Sequence, residues 1–350
     1  MRTAELTPAR LAELIGCFPE QRIAVLGDFF LDKYLDVDPA LEETSLETGK
    51  PAHQVVGVRS SPGAAGTVAS NLAALGAGAL HAIGFSGDDG EGYDLRKGLA
   101  ALGCSAEHLH VAGDRRTPTY LKPRDFRDPT LAGEHSRYDT KNRSRTPEDL
   151  ERKILASLDV LLPRLDAVVV ADQVEEADCG VVTIRVREAL AGRARSFSRV
   201  IFWADSRRRI REFRGVIVKP NQFEAVGREI PAPGEHVGLD ELRLAVERLR
   251  SRNGAPVVVT RGPEGMIVSD PEWTLVPGVK VEGDTDTTGA GDSATAGTVL
   301  ALCAGASLPE AAVLGNLVAS ITIQQLGTTG VARPAELPPR LEIWRRQHGK

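Results

Sequence analysis

The sequence predicts a doubly wound α/β fold, with a mostly parallel sheet, helices on both faces and a small β lid. Short apolar runs rich in Val and Ile alternate with stretches of helical periodicity along most of the chain. Strands that are buried on both faces give such continuous apolar runs, and their alternation with helices is typical of βαβ units. The predicted strands are 23–26, 167–170, 200–202, 216–218 and 257–259, and the predicted helices are 64–75, 93–102, 147–162, 180–190, 239–251, 289–304 and 309–325.

Two polar segments that contain proline, at about 35–59 and 117–138, interrupt this alternation. Both contain short extended runs, so we predict that they form lid strands inserted into a single domain spanning residues 1–350. Ligands of doubly wound folds bind beyond the carboxyl ends of the strands, where a lid would exclude water from a reacting group. The alternative is that the two segments only form a dimer contact. Exposed strand edges favour pairing, so the pattern is equally compatible with a homodimer that forms through the lid.

The composition excludes several classes of protein. The net charge is −5 over 350 residues, and its interspersed acids and bases leave no basic face for a nucleic acid. Residues 1–21 lack the apolar core of a signal peptide, and no segment approaches the roughly 20 apolar residues of a membrane span. Cys17, Cys104, Cys179 and Cys303 form no CxxC pair, which favours reduced thiols over a zinc site. We therefore expect a cytoplasmic protein.

The most informative motif is the run DTTGAGD at 286–292, which precedes a predicted buried helix. Gly289, Ala290 and Gly291 are small enough for backbone amides to crowd at a helix start, where they favour a negative oxygen. Asp292, placed beside such amides, is suited to take a proton from a hydroxyl that attacks a phosphoryl group. A tight loop with an aspartate near a helix start explains the string GAGD equally well on its own.

The complete run at 286–292, in the last quarter of an α/β chain, resembles the second signature of the ribokinase-like sugar kinases, the PfkB family. The resemblance implies a ribokinase-like fold and ATP-dependent phosphorylation of a carbohydrate. It implies that Asp292 is the catalytic base and that the backbone of residues 289–291 forms the anion hole for the transferred phosphate. Asp286 and Thr288 match positions where many members hold a monovalent cation, for which K⁺ is the candidate.

Two carboxylates follow the first predicted strand, at Asp28 and Asp32. Carboxylates accept paired hydrogen bonds from vicinal hydroxyls, which would suit a sugar, whereas composition alone favours a solvated turn. The longer string GDxxLDxY resembles the opening of the D-glycero-D-manno-heptose 7-phosphate kinase branch of the family, and the run at 137–143 resembles the same branch. The resemblance therefore makes both aspartates candidate sugar ligands.

The run PGAAGTVA at 62–69 resembles the first signature of the family, usually GGxxxN, which opens a helix under the sugar. Here Ala64 replaces the second glycine and Thr67 replaces the asparagine. Gly63 and Thr67 are candidate sugar contacts, although close helix packing explains the small residues equally well. The two replacements leave the identity of the sugar open.

Asp172 and Asp205 each follow a predicted strand on the expected ligand side of the sheet. The family often has Asp-Tyr and Asp-Pro at these points, whereas Gln and Ser follow the two aspartates here. Asp172 is retained as a candidate substrate contact. The basic run at 207–211 is interpreted as a solvated loop in which one arginine can meet a substrate phosphate.

Asn221 and Glu224 resemble the Asn-x-x-Glu motif of the family, which governs Mg²⁺ and the nucleotide phosphates through water. A helix N-cap with a capping-box glutamate is the alternative, and the two residues alone favour it.

The run TRGPEG after the strand at 257–259 resembles the family turn that lies along the nucleotide phosphates. Thr260, Arg261, Gly262 and Gly265 are therefore candidate nucleotide contacts, and a simple β-hairpin turn is compatible with that role. Asn316 corresponds to the adenine side of the family site.

The sequence thus predicts an enzyme that uses ATP and Mg²⁺ to phosphorylate a hydroxyl of a sugar or sugar phosphate, with no nucleic-acid or membrane partner. No competing GxxxxGK[ST] or GxGxxG loop is present. Two alternatives stay open. One is a nucleoside kinase of the same fold, and the other is a catalytically weak sugar or nucleotide sensor, which the changes at Ala64 and Thr67 would suit but the retained Asp292 opposes.

Overall fold

The computed structural model describes residues 2–128, 131–228, 230–232, 234–327 and 329–349. Its strands are β1 (Arg2–Thr3), β2 (Arg22–Gly27), β3 (Phe29–Val37), β4 (Glu43–Thr44), β5 (Pro51–Ala52), β6 (Val55–Ala64), β7 (Ala79–Gly87), β8 (Cys104–Ser105), β9 (Leu109–Ala112), β10 (Thr119–Asp125), β11 (Tyr138–Thr140), β12 (Ala167–Asp172), β13 (Ile201–Ser206), β14 (Ile217–Val218), β15 (Val258–Thr260), β16 (Met266–Val268) and β17 (Thr274–Val276). Its α-helices are α1 (Pro8–Cys17), α2 (Ala65–Ala74), α3 (Gly90–Ala101), α4 (Glu148–Leu161), α5 (Ile184–Ser196), α6 (Gln222–Val226), α7 (Leu239–Asn253), α8 (Ala290–Cys303), α9 (Leu308–Thr322) and α10 (Leu337–Gln347).

The central sheet has the strand order β14–β13–β12–β2–β7–β8, all parallel, and β9 pairs with the end of β7. Successive residues of β12 alternate between two apolar cores. Val169 packs in the core that contains residues of α2, α8 and α9, whereas Val168 and Val170 pack in the core that contains residues of α4, α5 and α7. Helices therefore cover both faces, which confirms the predicted doubly wound fold.

An antiparallel unit extends the sheet beyond β14. Strands β15, β16 and β17 form a meander, and β1 runs parallel to β17. Isolated parallel bridges, Val218 with Val257 and Asn221 with Thr260, join this unit to the central sheet. The sheet is consequently mostly, but not wholly, parallel.

A separate sheet has the order β11–β10–β3–β6, in which β3 runs parallel to β10 and antiparallel to β6. The chain enters it directly from the central sheet, because β2 ends at Gly27 and β3 begins at Phe29. Strands run through both predicted lid segments, but β3 begins before the first segment and β6 ends after it, at Ala64. Residues 129 and 130 of the second segment lie outside the described residues. The role of this sheet as a lid stays a prediction, as does the single domain.

No helix within the described ranges is long and apolar enough to cross a membrane.

Ala64 has a backbone conformation that favours glycine. It lies between β6 and α2 with φ 55° and ψ −115°, where the Cβ of an L-residue clashes with the neighbouring backbone. A residue held in such a region costs on the order of 1–3 kcal/mol. The alanine that replaces the signature glycine therefore introduces strain at the start of α2.

Replacing Ala64 by glycine should raise the free energy of unfolding by about 1 kcal/mol, because the left-handed conformation then carries no Cβ penalty. Urea denaturation of the two proteins measures the difference. The matched control is Ala73→Gly at a half-buried position within α2, which should lower the same free energy by about 1 kcal/mol. A destabilising effect of Ala64→Gly would contradict the assignment of strain.

Candidate active site

A cavity of about 710 Å³ lies between the separate sheet and the carboxyl ends of the central strands. Its wall includes Asp32 and Lys122 from the separate sheet, Asp205 at the end of β13, and Thr67 and Asp292 from the first turns of α2 and α8. This is the place where ligands of doubly wound folds bind. Several of the residues predicted from sequence therefore meet in one cavity.

The start of α8 offers unpaired backbone donors to this cavity. Gly289 caps the helix in the left-handed region, at φ 74°, and its carbonyl accepts the amide of Ser293 at 2.9 Å. Within the described residues, the amides of Gly291 and Asp292 have no hydrogen-bond partner. The amide of Ala290 donates to the carbonyl of Thr287 at 3.1 Å. Gly289 and Gly291 line the cavity whereas Ala290 does not, and the amide of Gly289 also has no partner among the described residues, so the available donors are those of residues 289, 291 and 292.

Asp292 is the predicted base, and its carboxyl group titrates near neutrality. Burial, followed by the charge of the neighbouring Asp205 carboxylate, raises the pKa of Asp292 to about 7, against the opposing effect of Lys219. A carboxylate with this pKa can accept a proton more readily than an ordinary aspartate.

Lys219 is a site residue that the sequence interpretation missed. Its ammonium is 2.7 Å from Asp205 Oδ2 and almost fully buried. Burial opposes the charge, but the Asp205 carboxylate outweighs this and raises the pKa of Lys219. A Cβ placed on Gly291 would lie 3.5 Å from the Lys219 Nζ, so this cation lies beside the start of α8. A lysine directly after the buried strand β14 was the signal that could have identified it.

Asn221 and Glu224 form the capping box that was the alternative interpretation, and both also line the cavity. Asn221 Oδ1 accepts the amides of Phe223 and Glu224 at 2.9 Å, and Glu224 Oε2 accepts the Asn221 amide at 2.7 Å. Burial, followed by the charge of Asp205, raises the pKa of Glu224 to about 7. The capping role and the proposed cofactor role are therefore compatible.

A hydrated Mg²⁺ fits these residues better than a directly coordinated metal. The Asp205 carboxylate raises the pKa values of both Glu224 and Asp292, which indicates a local excess of negative charge. Across the described ranges, no group of three or more His, Cys, Asp or Glu side chains is arranged to hold a metal ion. Mg²⁺ usually keeps several waters and needs few protein ligands, so the predicted contact through water agrees with this arrangement.

Asp32 and Thr67 line the cavity at the end contributed by the separate sheet. Asp32 Oδ1 is 3.1 Å from the ammonium of Lys122. Burial acts against the lysine charge, yet Asp32 raises the pKa of Lys122 above its ordinary value. Gly63 does not line the cavity, but a Cβ at this position would lie 2.5 Å from Asp32 Oδ2. The absence of a side chain at Gly63 therefore leaves room for the Asp32 carboxylate.

Aromatic and cationic side chains form the adjacent wall. Phe30 and Tyr120 pack edge to face at 5.2 Å. The guanidinium of Arg137 lies 4.5 Å from the centre of the Tyr120 ring and binds Asp139 through two hydrogen bonds of 2.7 and 2.9 Å. Local sequence did not single out Phe30, Tyr120 or Lys122, because they reach the cavity only after β3 and β10 have paired.

Two predicted sugar ligands, Asp28 and Asp172, do not line the cavity. The Asp28 carboxylate is 3% exposed and accepts backbone amides of residues 173, 174 and 181. Asp172 is 1% exposed and is paired with Arg209. Their oxygens are engaged by the protein itself, so the structure does not bring either predicted sugar ligand to the cavity.

Some of the predicted nucleotide contacts line the cavity, whereas others are engaged by the protein itself. Thr260 and Gly262 line the cavity. Arg261 instead pairs with Glu264. Asn316 donates to the carbonyls of residues 276 and 277 at 3.1 Å. Gly265 supports the turn, since a Cβ there would lie 2.2 Å from the carbonyl oxygen of Val276.

The predicted cation residues lie at the loop that precedes α8. Asp286 Oδ1 accepts the amide of Thr288 at 2.9 Å, and the Asp286 amide donates to the carbonyl of Ile323 at 2.8 Å. Thr288 lines the cavity. A monovalent cation at this loop stays a prediction.

An enzyme that transfers phosphate to a hydroxyl needs a base, hydrogen-bond donors that stabilise the charge of the transferred phosphoryl group, and a space from which water can be excluded. The start of α8 and the cavity around it meet these needs within a ribokinase-like fold, which is the arrangement of a sugar kinase. Residues 21–335 match the family model described as pfkB family carbohydrate kinase. The chain belongs to this family of carbohydrate kinases.

Known proteins support this assignment at two levels. The bifunctional protein HldE of Caulobacter vibrioides is 31% identical over 336 residues, which cover 93% of this chain and 65% of that protein. The chain therefore spans slightly less than two thirds of this relative. The ribokinase of Thermotoga maritima has a TM-score of 0.65 at 19% identity, covering 92% of this chain and 99% of that one. Phosphofructokinase-2 of Escherichia coli, in complex with potassium, has a TM-score of 0.67 at 19% identity, covering 94% and 99%. At such identities the two structures show a shared fold.

Proposed function

We propose that the protein uses ATP to phosphorylate a hydroxyl of a sugar phosphate, in the manner of a heptose 7-phosphate kinase. The observation that carries the proposal is the position of Asp292, a carboxyl group with a pKa of about 7 beside unpaired helix amides and the Lys219 ammonium. A base and an anion site that meet at one point are suited to phosphoryl transfer to a hydroxyl.

In the proposed reaction, the sugar oxygen attacks the γ-phosphorus of ATP and the bond from that phosphorus to the oxygen that leaves with ADP breaks. Asp292 takes the proton of the attacking hydroxyl. The amides of residues 289, 291 and 292, together with Lys219, stabilise the negative charge on the transferred group. Catalysis then rests on positioning and electrostatic stabilisation, with no covalent enzyme intermediate.

The cofactors belong to the proposal as well. Glu224 and Asn221 would hold Mg²⁺ through water, near Asp205, and the ion would neutralise phosphate charge on the nucleotide. Asp286 and Thr288 would contribute to a K⁺ site behind the anion hole. An enzyme that consumes ATP and carries four free thiols is suited to the cytoplasm.

The choice of a sugar phosphate rests on the charges at the other end of the cavity. Asp32 can accept hydrogen bonds from sugar hydroxyls, whereas Lys122 and Arg137 line the same region and suit a phosphate that the substrate already carries. Phe30 and Tyr120 offer an apolar wall to the carbon face of a sugar. The similarity to the bifunctional protein HldE supports this choice. Of the two functions of that relative, we propose only the kinase reaction for this chain.

We also propose that the protein forms a homodimer through the separate sheet. Strand β6 is an edge strand of this sheet, and its Val55, Val56 and Val58 are 46%, 51% and 59% exposed. An exposed apolar edge strand favours pairing with a second copy.

The function is tested with ATP, Mg²⁺ and a panel of heptose 7-phosphate, fructose 6-phosphate, ribose and adenosine. We expect ADP release that depends on heptose 7-phosphate and that falls by about 10²–10⁴-fold in Asp292→Asn, since that variant lacks the base. The matched control is Asp284→Asn, an exposed aspartate on the loop before α8, which should keep its activity. Turnover of adenosine alone would favour a nucleoside kinase, and tight sugar binding without turnover would favour a sensor.

Activity should depend on pH through Asp292, because only the ionised carboxylate accepts a proton. With its pKa raised to about 7, kcat/KM for the sugar should fall about tenfold per pH unit below that value and level off above it. Lys219 lowers this pKa, so Lys219→Met should move the acid limb to higher pH. The pH profile of kcat/KM measures both effects.

Glu224 also has a pKa of about 7, and Glu224→Gln provides the control for the pH profile. The acid limb should persist in this variant. Loss of the limb in Glu224→Gln, or an unchanged limb in Lys219→Met, would show that Asp292 is not the titrating group.

The dimer is tested by sedimentation velocity at micromolar concentrations. The wild-type chain should sediment as a dimer and Val58→Asp as a monomer, since the new charge would be buried in the pairing edge. A monomeric wild-type protein at these concentrations would rule out this interface.

A further inference from the structure

The loop at 173–181 follows β12 and is held by a buried carboxylate that the proposed reaction does not use. Asp28, between β2 and β3, accepts the amides of Gln173 and Val174 on its Oδ2, at 2.8 and 3.0 Å, and the amide of Val181 on its Oδ1, at 2.7 Å. Both ends of the loop are thus fixed to one side chain.

A guanidinium holds the carbonyl groups of the same loop. Arg209 pairs with Asp172 through contacts of 2.6 and 3.1 Å. It also donates to the carbonyl of Glu175 at 3.1 Å and to that of Val174. Asp28 therefore takes up the amides of the loop while Arg209 takes up its carbonyls, which leaves the first residues of the loop little freedom to move.

Gly180 shows how closely the loop approaches Asp28. A Cβ at this position would lie 2.5 Å from Asp28 Oδ1 and 2.8 Å from Val174 Cβ. Such distances are shorter than van der Waals contact, so even an alanine would force the carboxylate or the loop to shift.

The loop supports the wall of the sugar end of the cavity. Val174 and Cys179 form a small apolar cluster with Phe30, and Tyr120 packs against it. Gln173, which Asp28 holds through its amide, lines the cavity beside these two rings. A displacement of the loop would therefore reach the aromatic wall through direct contacts.

We propose that Asp28 and Arg209 are positioning residues for the sugar: they fix the loop at 173–181, and the loop in turn fixes Gln173, Phe30 and Tyr120 in the cavity. This proposal rests on the proposed sugar kinase function. Neither residue lines the cavity, so both act through the loop. The nucleotide end, around Thr260 and Gly262, is built on β15 and should be insensitive to them.

The decisive variant is Asp28→Asn, which keeps the shape of the side chain but presents an NH₂ group to backbone amides. We expect KM for heptose 7-phosphate to rise by about 10–100-fold, because displaced positioning groups cost affinity on this scale, whereas KM for ATP should stay within about twofold because the nucleotide end keeps its contacts. Gly180→Ala, which displaces the same contact without removing a charge, should raise the sugar KM in the same direction. It keeps the test decisive if Asp28→Asn does not fold.

The matched control is Asp166→Asn. Asp166 directly precedes β12, at the end of the strand opposite to the loop at 173–181, and accepts the backbone amide of Arg22 at 2.8 Å. Loss of the Asp166 carboxylate should leave the KM values for heptose 7-phosphate and for ATP unchanged. A parallel rise of the sugar and ATP KM values in Asp28→Asn, or an unchanged sugar KM, would overturn the proposal.

Amide hydrogen exchange of the free protein separates this proposal from the proposed function. In Asp28→Asn, the amides of residues 173, 174 and 181 should exchange at least about tenfold faster, whereas those within α8 should not change. If wild-type protein does not turn over heptose 7-phosphate, the proposed substrate is wrong, and the exchange rates alone then decide whether Asp28 fixes the loop. Unchanged exchange at these amides would refute it.

Discussion

The structure depends on the close approach of β2 and β12 at the end of the central sheet. A Cβ on Gly27 would lie 2.2 Å from the carbonyl oxygen of Ala171, and the following amide, that of Asp28, donates to the same oxygen at 3.0 Å. The carbonyl of Asp28 then accepts the amide of Ala65, the first residue of α2, at 3.1 Å. One residue thereby fixes the end of the central sheet, the start of β3 and the entrance to a helix that lines the cavity. A shift at this junction would displace all three.

The cavity also encloses more charge than folding alone would favour. A buried ion pair such as that of Asp205 and Lys219 is seldom a net source of stability, since desolvation offsets most of the attraction. The same carboxylate raises the pKa values of Asp292 and Glu224. Carboxylates that are held close together in a buried cavity, with shifted pKa values, are typical of catalytic sites. The buried charges of this cavity therefore contribute little to the stability of the fold, but they give Asp292 and Glu224 pKa values near neutral pH.

The fold could be predicted because burial on both faces of a parallel sheet produces continuous apolar runs, and because the motif at 286–292 owes its conformation to its own small residues. The orientation of side chains at the strand ends could not be predicted from the sequence. Asp28 and Asp32 are four residues apart, yet only Asp32 lines the cavity, because Asp28 is engaged by a loop far along the chain. Asp172 was expected at the cavity, but it pairs with Arg209, which follows the next strand. Ala290 has the expected small side chain, but its amide is used by the turn before α8.

The pairing of β3 with β10 has a consequence for how the site is assembled. Lys122 reaches Tyr34 across a separation of 88 residues, and the intervening chain includes β6, α2, β7 and α3. The opposite wall comes from α8, much later in the sequence. A contiguous fragment that contains both walls, from Phe30 of the separate sheet to Asp292 of α8, must include residues 30–292. During synthesis, the growing chain would therefore acquire its cavity only after α8 has emerged, and proteolytic cleavage between these walls would leave two fragments with half a site each.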